Sequence, residues 1–162
     1  KYPDEVKTLV GLDWALPDSY ENLKDNQALH TVAYWSSKIG LLRYFPESFY
    51  IKNQTLTESE RKQYKLLAYK QLMSQAMLNE SRLVKENAKK VPSSINLKIP
   101  TLLLVSNGQG TSFGQSEWQH FSEKFASEQS NVKVIYMDVP HDLYHYQNHE
   151  VVSRIEDFLK SN

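Results

Sequence analysis

The segment that most constrains the fold of this 162-residue sequence is residues 101–105, Thr-Leu-Leu-Leu-Val, which lie between Pro100 and the turn pair Asn107-Gly108. A short, continuous apolar run with turn residues at both ends is typical of a strand that is buried on both faces. Such a strand needs other elements on each side of it. The run therefore predicts the interior of a sheet that is covered on both faces.

The segments around this run alternate between strand and helix patterns. Residues 6–12 and 132–137 are rich in apolar and β-branched residues and predict two further strands. Residues 116–126 and 151–159 instead have apolar residues at helical spacing. This alternation indicates βαβ units. The sequence therefore predicts an α/β fold with a partial parallel sheet of about three strands and flanking helices.

A long helical insertion separates the first strand from the second. Residues 57–60, Thr-Glu-Ser-Glu, form a capping box that predicts a helix continuing to Ala76, and another helix is predicted over roughly residues 26–37. We therefore expect residues 1–13 and 96–162 to form the sheet and residues 14–95 to form a helical cap.

The insertion is also rich in aromatic residues. Core packing explains most of them, although a lid over an apolar pocket would need the same residue types. The residues are Tyr34, Trp35, Tyr44, Phe45, Phe49 and Tyr50.

Charge and cysteine content limit the classes of function. The sequence has 19 Lys and Arg against 19 Asp and Glu, so no global electric field attracts nucleic acid or acidic membranes. The absence of Cys excludes disulfides, thiolate catalysis and Cys-bound metals. No apolar stretch is long enough to span a bilayer. We therefore expect neither a nucleic-acid partner nor a membrane segment in this chain.

The strongest candidate for chemistry is His141, which follows the third predicted strand after Pro140. In α/β folds, functional groups lie beyond the carboxyl ends of the strands. His145 and His149 follow at intervals of four, a spacing that would suit a metal site on a helix. Pro140 and the strand end argue against a helix there, and no carboxylate cluster completes a site. We therefore predict no metal site.

Taken together, these segments resemble the C-terminal half of an α/β-hydrolase. Residues 2–13 resemble the entry into the sixth strand of that family, residues 14–95 its cap, and residues 98–105 its seventh strand. His141 and the closing helix resemble the family's catalytic histidine and last helix. The resemblance implies a serine hydrolase that acts on an ester or similar small acyl compound and needs no cofactor, with His141 as the general base.

Several residues are candidates for the acid that would orient this histidine. The family commonly has an Asp after the seventh strand, but residues 106–114 contain no carboxylate. Asp13 ends the sixth-strand segment, and pancreatic-type lipases resemble this arrangement in drawing their acid from that strand. An Asp that caps a turn is the alternative interpretation. Asp138 and Asp142 are weaker candidates because they are so close to His141 in sequence. We predict Asp13 as the acid.

The nucleophilic serine is the missing group. Residues 110–114 match the G-x-S-x-G pattern literally, with Ser112 at its centre. The apolar run ends well before Ser112, and only twenty-nine positions separate Ser112 from His141, too few for the family order. Loops of this composition produce the pattern by chance. We therefore expect the nucleophile upstream of Lys1 and the chain alone to be inactive.

The incomplete sheet and the incomplete set of catalytic groups have two further implications. Three strands without their neighbours leave an unpaired sheet edge, which we expect to pair with the N-terminal half of the same protein or with a second copy. The alternative to an enzyme is a non-catalytic, hydrolase-like module that binds a ligand or a protein partner. The loop without carboxylates after the second strand favours that alternative.

Overall fold

A computed structural model describes residues 3–24, 26–47, 56–91 and 97–162. The chain divides into two compact units. The sheet unit comprises Lys1–Leu23 and Lys89–Asn162, and the helical unit comprises Lys24–Ala88. The role of the helical unit as a cap stays a prediction.

Among the described residues, strands and helices alternate in the sheet unit, and the helical unit contains helices only. The strands are β1 (Leu9–Leu12), β2 (Thr101–Val105) and β3 (Val132–Tyr136). Within the described residues the α-helices are α1 (Pro17–Asn22), α2 (Gln27–Lys38), α3 (Glu58–Gln71), α4 (Gln75–Ala88), α5 (Gln115–Ser127), α6 (Leu143–Tyr146) and α7 (Asn148–Ser161). In the same part of the chain, short 3-10 helices cover Pro3–Glu5 and Leu41–Tyr44.

The three strands form one parallel sheet in the order β1-β2-β3. Leu12 of β1 lies opposite Leu104 of β2, which lies opposite Ile135 of β3. The protein is therefore an α/β fold with a three-stranded parallel sheet and flanking helices, as the sequence predicts.

Both faces of β2 are covered, which explains its unbroken apolar sequence. All five residues of β2 are buried. Successive side chains of a strand point to opposite faces. Leu102 and Leu104 join a core cluster with Phe158 of α7 on one face. Leu103 and Val105 pack with Trp118 of α5 on the other. The predicted burial of β2 is confirmed.

One edge of β1 is open among the described residues. Leu9 N–H donates to the Pro100 carbonyl (2.9 Å) and Asp13 N–H donates to the Leu104 carbonyl (2.7 Å), both toward β2. Because backbone groups alternate along a strand, those of Val10 and Leu12 point away from β2. The unpaired edge expected from the sequence is therefore present in the described part of the chain.

The helix that the capping box predicts begins where expected but ends earlier than predicted. The capping box of Thr57 and Glu60 is formed in both directions at the start of α3. Helix α3 ends at Gln71, and Met73 takes a left-handed conformation (φ 55°) before α4 begins. The predicted single helix to Ala76 is therefore wrong, because a non-glycine residue adopts the turn conformation.

Three of the aromatic residues that the sequence places in the insertion are exposed. Trp35 is 61% exposed, Tyr44 86% and Phe45 46%. Phe49 and Tyr50 lie outside the described residues. Core packing is therefore the wrong explanation for Trp35, Tyr44 and Phe45.

No helix in the described residues has both the length and the apolar character needed to cross a membrane.

Candidate functional site

The carboxyl ends of the three strands bring distant residues together. Asp13 directly follows β1, Ser106 directly follows β2, and the segment after β3 leads to His141. Because the strands are parallel, these ends lie at the same edge of the sheet. The edge therefore assembles a site from residues that are far apart in the sequence.

Asp13 and His141 are in direct contact. Nδ1 of His141 lies 2.6 Å from Oδ2 of Asp13. An ionised carboxylate only accepts hydrogen bonds, so Nδ1 carries the proton. In the neutral imidazole, Nε2 then holds the free lone pair. The His141 side chain is 41% exposed while that of Asp13 is 1% exposed. His141 can therefore take a proton from a group that approaches from solvent, as a general base does.

The second oxygen of the Asp13 carboxylate has two further donors. Oδ1 accepts a hydrogen bond from the backbone N–H of Ser106 (2.7 Å) and another from the indole N–H of Trp118 (2.9 Å). Each oxygen of this buried carboxylate thus accepts at least one hydrogen bond. The three donors fix both the charge and the orientation of the side chain.

The backbone at the end of β1 places this carboxylate. Asp13 has a φ of 52°, in the left-handed region that Asp tolerates better than most residues. Two residues earlier, a Cβ on Gly11 would lie 2.8 Å from atoms of both Trp14 and Leu103. Only glycine allows that approach. The turn after β1 therefore depends on Gly11 and on the conformation of Asp13.

His141 is held by hydrogen bonds between two loops. Its backbone N–H donates to the Gln109 carbonyl (2.8 Å), and Asn107 N–H donates to the Val139 carbonyl (2.9 Å). Gly108 has a φ of 80°, and a Cβ there would lie 3.1 Å from Cβ of Trp118. The loop after β2 thus supports the loop that carries His141.

The contact shifts the pKa of both partners. Burial raises the pKa of Asp13, but hydrogen bonds with His141, Ser106 and Trp118 outweigh it, so the pKa lies below its ordinary value. The hydrogen bond with Asp13 raises the pKa of His141, and burial offsets part of that rise. Asp13 is therefore ionised at neutral pH and stabilises the imidazolium form of His141.

The other sequence candidates do not join this contact. Ser112 is exposed in the loop before α5, and among the described residues no hydrogen bond connects it with His141. Asp138 accepts a hydrogen bond from the Asn107 side chain (3.0 Å). Asp142 lies immediately before α6 and raises the pKa of His141 only through its charge. The structure thus brings Asp13 and His141 together, and their catalytic roles stay predictions.

The segment after Pro140 does form helices, so the expectation against a helix there is wrong. His145 lies in α6, which is a single helical turn of four residues. His149 lies in α7. In the four described ranges, no group of three or more His, Cys, Asp or Glu side chains is placed to hold a metal ion.

Sequence reasoning missed two members of the site, Trp118 and Ser106. Trp118 was expected only as an apolar residue of a helix, and Ser106 only as the first residue of the segment after the second strand. The one signal for Trp118 is chemical, because a buried indole N–H needs an acceptor. Its spacing in the sequence carries no information about which acceptor that is.

The chain is similar to a bacterial protein in sequence and to a solved structure in fold. No protein-family model matches the chain. The chain is 25% identical, over 177 aligned positions, to the uncharacterized protein YbdG of Bacillus subtilis (strain 168), covering 99% of this chain and 52% of YbdG.

A solved structure resembles the chain in its fold. The crystal structure of a candidate acyltransferase from Salmonella enterica matches 99% of this chain and 58% of its own length, with a TM-score of 0.61 and 17% identity. At that identity the likeness shows the fold alone. The chain thus spans about half the length of each of these two proteins. With the Salmonella enterica structure it shares the fold.

Proposed function

We propose that this chain supplies the general base and the orienting acid of an α/β-hydrolase that cleaves an ester or similar small acyl compound through a serine. The observation that carries the proposal is the 2.6 Å contact of His141 Nδ1 with the buried carboxylate of Asp13. That contact leaves Nε2 as the basic nitrogen. A base, an orienting acid and a serine are the three groups that this chemistry requires.

The proton transfers follow from the geometry. Nε2 of His141 takes the proton of the serine hydroxyl as the serine oxygen attacks the acyl carbonyl, and Asp13 stabilises the imidazolium that forms. The leaving alcohol departs with that proton. Water then gives a proton to Nε2 as it attacks the acyl-serine. The proton returns to the serine oxygen when the carboxylic acid is released, so the protein is regenerated.

The serine itself is proposed to come from polypeptide outside these 162 residues. Two observations support this assignment. Ser112 has no hydrogen bond with His141, and both similar proteins extend well beyond the part that this chain matches. We therefore expect no ester turnover by the 162-residue chain alone.

The open edge of β1 gives the remaining polypeptide a place to pair. Val10 and Leu12 direct backbone N–H and carbonyl groups away from β2, and Leu12 is 38% exposed. An additional strand along this edge would satisfy those groups and extend the sheet. The occupant we propose is the N-terminal half of the same protein, and a second copy would use the same edge.

Acyl transfer to an acceptor other than water is the nearest related reaction. The Salmonella enterica protein is described as a candidate acyltransferase, and a base at the position of His141 serves an alcohol acceptor as well as water. Product analysis with and without added alcohols distinguishes the two acceptors.

Covalent labelling tests the proposal without knowledge of the substrate. A fluorophosphonate reacts with a serine that a neighbouring base activates. We expect the full-length protein to be labelled at one serine other than Ser112, and His141→Gln to abolish labelling. The exposed His149 provides the matched control, His149→Gln. Labelling at Ser112, or unchanged labelling of His141→Gln, would contradict the proposal. No labelling of any form would favour the non-catalytic binding module.

A further inference from the structure

We propose that Trp118 is a positioning residue that aims the Asp13 carboxylate at His141 and limits the tilt of the imidazole ring. The inference rests on the proposed function, because it concerns the same proton-transfer pair. It assigns a role to a side chain that would otherwise be counted only as part of the core.

The hydrogen bond of Trp118 is the first observation. Trp118 lies in the first turn of α5, is 4% exposed, and points its indole N–H at Oδ1 of Asp13 (2.9 Å). An indole nitrogen only donates, so this bond stabilises the ionised form of the acceptor. A packing role would need the ring of Trp118 but not a donor aimed at this carboxylate.

Because the hydrogen bonds to Oδ1 of Asp13 fix the carboxylate plane, they also set the position of Oδ2. Oδ1 is held from two sides, by the backbone N–H of Ser106 (2.7 Å) and by Trp118. Rotation of the carboxylate would break both bonds. With Oδ1 fixed, Oδ2 faces Nδ1 of His141. Ser106 donates from the main chain, so Trp118 is the donor that a side-chain substitution can remove.

The indole ring also contacts the other member of the pair. The rings of Trp118 and His141 meet edge to face, with centroids 5.8 Å apart and planes at 90°. Trp118 also stacks on Phe113 (5.8 Å, 22°). Trp118 therefore touches both the acid and the base from a helix that is itself packed against β2.

The substitution Trp118→Phe tests the role because it keeps an aromatic ring and removes the donor. We expect the pKa of Asp13, followed by carboxyl ¹³C NMR, to rise. We also expect a smaller fraction of neutral His141 to carry its proton on Nδ1. The matched control is Phe121→Leu, which removes aromatic volume from the same cluster without removing a donor, and it should leave both quantities unchanged. Unchanged values in Trp118→Phe would overturn the inference.

A second measurement uses the native indole as the reporter, so it does not depend on the folding of Trp118→Phe. Of the three Trp in the chain, Trp118 is the one bonded to Asp13 Oδ1, while Trp35 is 61% exposed. In Asp13→Ala, the indole N–H signal of Trp118 should move upfield and that of Trp35 should not. An unmoved Trp118 signal would contradict the proposed hydrogen bond.

Turnover separates this inference from the proposed function. In the full-length protein, Trp118→Phe should lower kcat by up to about 10²-fold with little change in KM, because a misaligned base costs rate rather than binding. Phe121→Leu should retain the wild-type kcat. If the wild-type protein turns over no acyl ester, the proposed function fails, and the NMR titrations still decide the role of Trp118.

Discussion

The carboxylate of Asp13 and the imidazole of His141 meet at 2.6 Å although 128 positions separate them in the sequence. Asp13 is buried and holds three donors, whereas the His141 ring reaches solvent. This contact, with one buried, fully bonded partner and one accessible partner, is the arrangement on which the proposed proton transfer depends.

The first prediction concerns the charge at this contact. Asp13→Asn removes the carboxylate whose hydrogen bond raises the pKa of His141. We expect the pKa of His141 to fall in this variant, as measured by NMR of its ring protons. A His141 pKa that does not fall would show that Asp13 has no influence on the base.

The second prediction concerns stability against pH. His141 has a raised pKa in the folded state, so its stabilising effect is complete below the unfolded pKa of about 6.5 and declines as pH rises through the folded pKa. Asp13 has a lowered folded pKa, so its effect is present above about 3.9 and is lost as pH falls through the folded pKa.

Denaturant unfolding of the wild type and His141→Gln measures this dependence. The difference in unfolding free energy between them should be larger near pH 5.5 than near pH 9, values about 1 unit below and about 2.5 units above an ordinary His pKa of about 6.5. Leu159→Ala, which replaces an exposed side chain without a titratable group, should give a small difference that does not vary with pH. A constant difference for His141→Gln would contradict the assigned contact.

The third prediction tests the position of β2 inside the sheet. Leu104 is 0% exposed and contributes to the core cluster beneath α7. Leu104→Ala should lower the unfolding free energy by about 2–5 kcal/mol because it leaves a cavity. Leu159→Ala on α7, where Leu159 is 50% exposed, is the matched control and should change stability by less than about 0.5 kcal/mol. Equal losses of unfolding free energy in Leu104→Ala and Leu159→Ala would contradict the position of Leu104 in the core.

The fourth prediction concerns the open edge of β1. The isolated 162-residue chain should self-associate with increasing concentration, as measured by size-exclusion chromatography with light scattering. Leu12→Lys places a charge on the exposed edge and should shift the chain toward monomer. Leu159→Lys on α7 adds the same charge elsewhere and should not. A chain that stays monomeric at all concentrations would count against edge pairing.

The sequence predicted the parts of the fold that one strong local signal controls. Continuous apolar character identified β2, and the capping pair of Thr57 and Glu60 marked the start of α3. Strand β1 begins at Leu9 rather than at Val6, and Val6 is 41% exposed. Its apolar character extends beyond the part that pairs with β2, so composition alone overestimated the strand.

Features that depend on tertiary contacts were not predictable. Met73 breaks the helical unit with a left-handed backbone, although no glycine or proline marks the position. Asp13 and His141 were predicted as a pair from a family resemblance, and their contact is observed. The donors from Ser106 and Trp118 were missed, because which groups surround a buried carboxylate depends on how α5 packs on the sheet.

Steady-state kinetics of the full-length protein with short and medium acyl esters test the central claim most directly. Loss of the base should lower kcat by on the order of 10²–10⁴-fold in His141→Gln, while His149→Gln and Ser112→Ala keep the wild-type rate. Activity of the wild type should increase as pH rises through the raised pKa of His141, because only the neutral ring accepts a proton. Wild-type turnover by His141→Gln would contradict the assignment of His141 as the base.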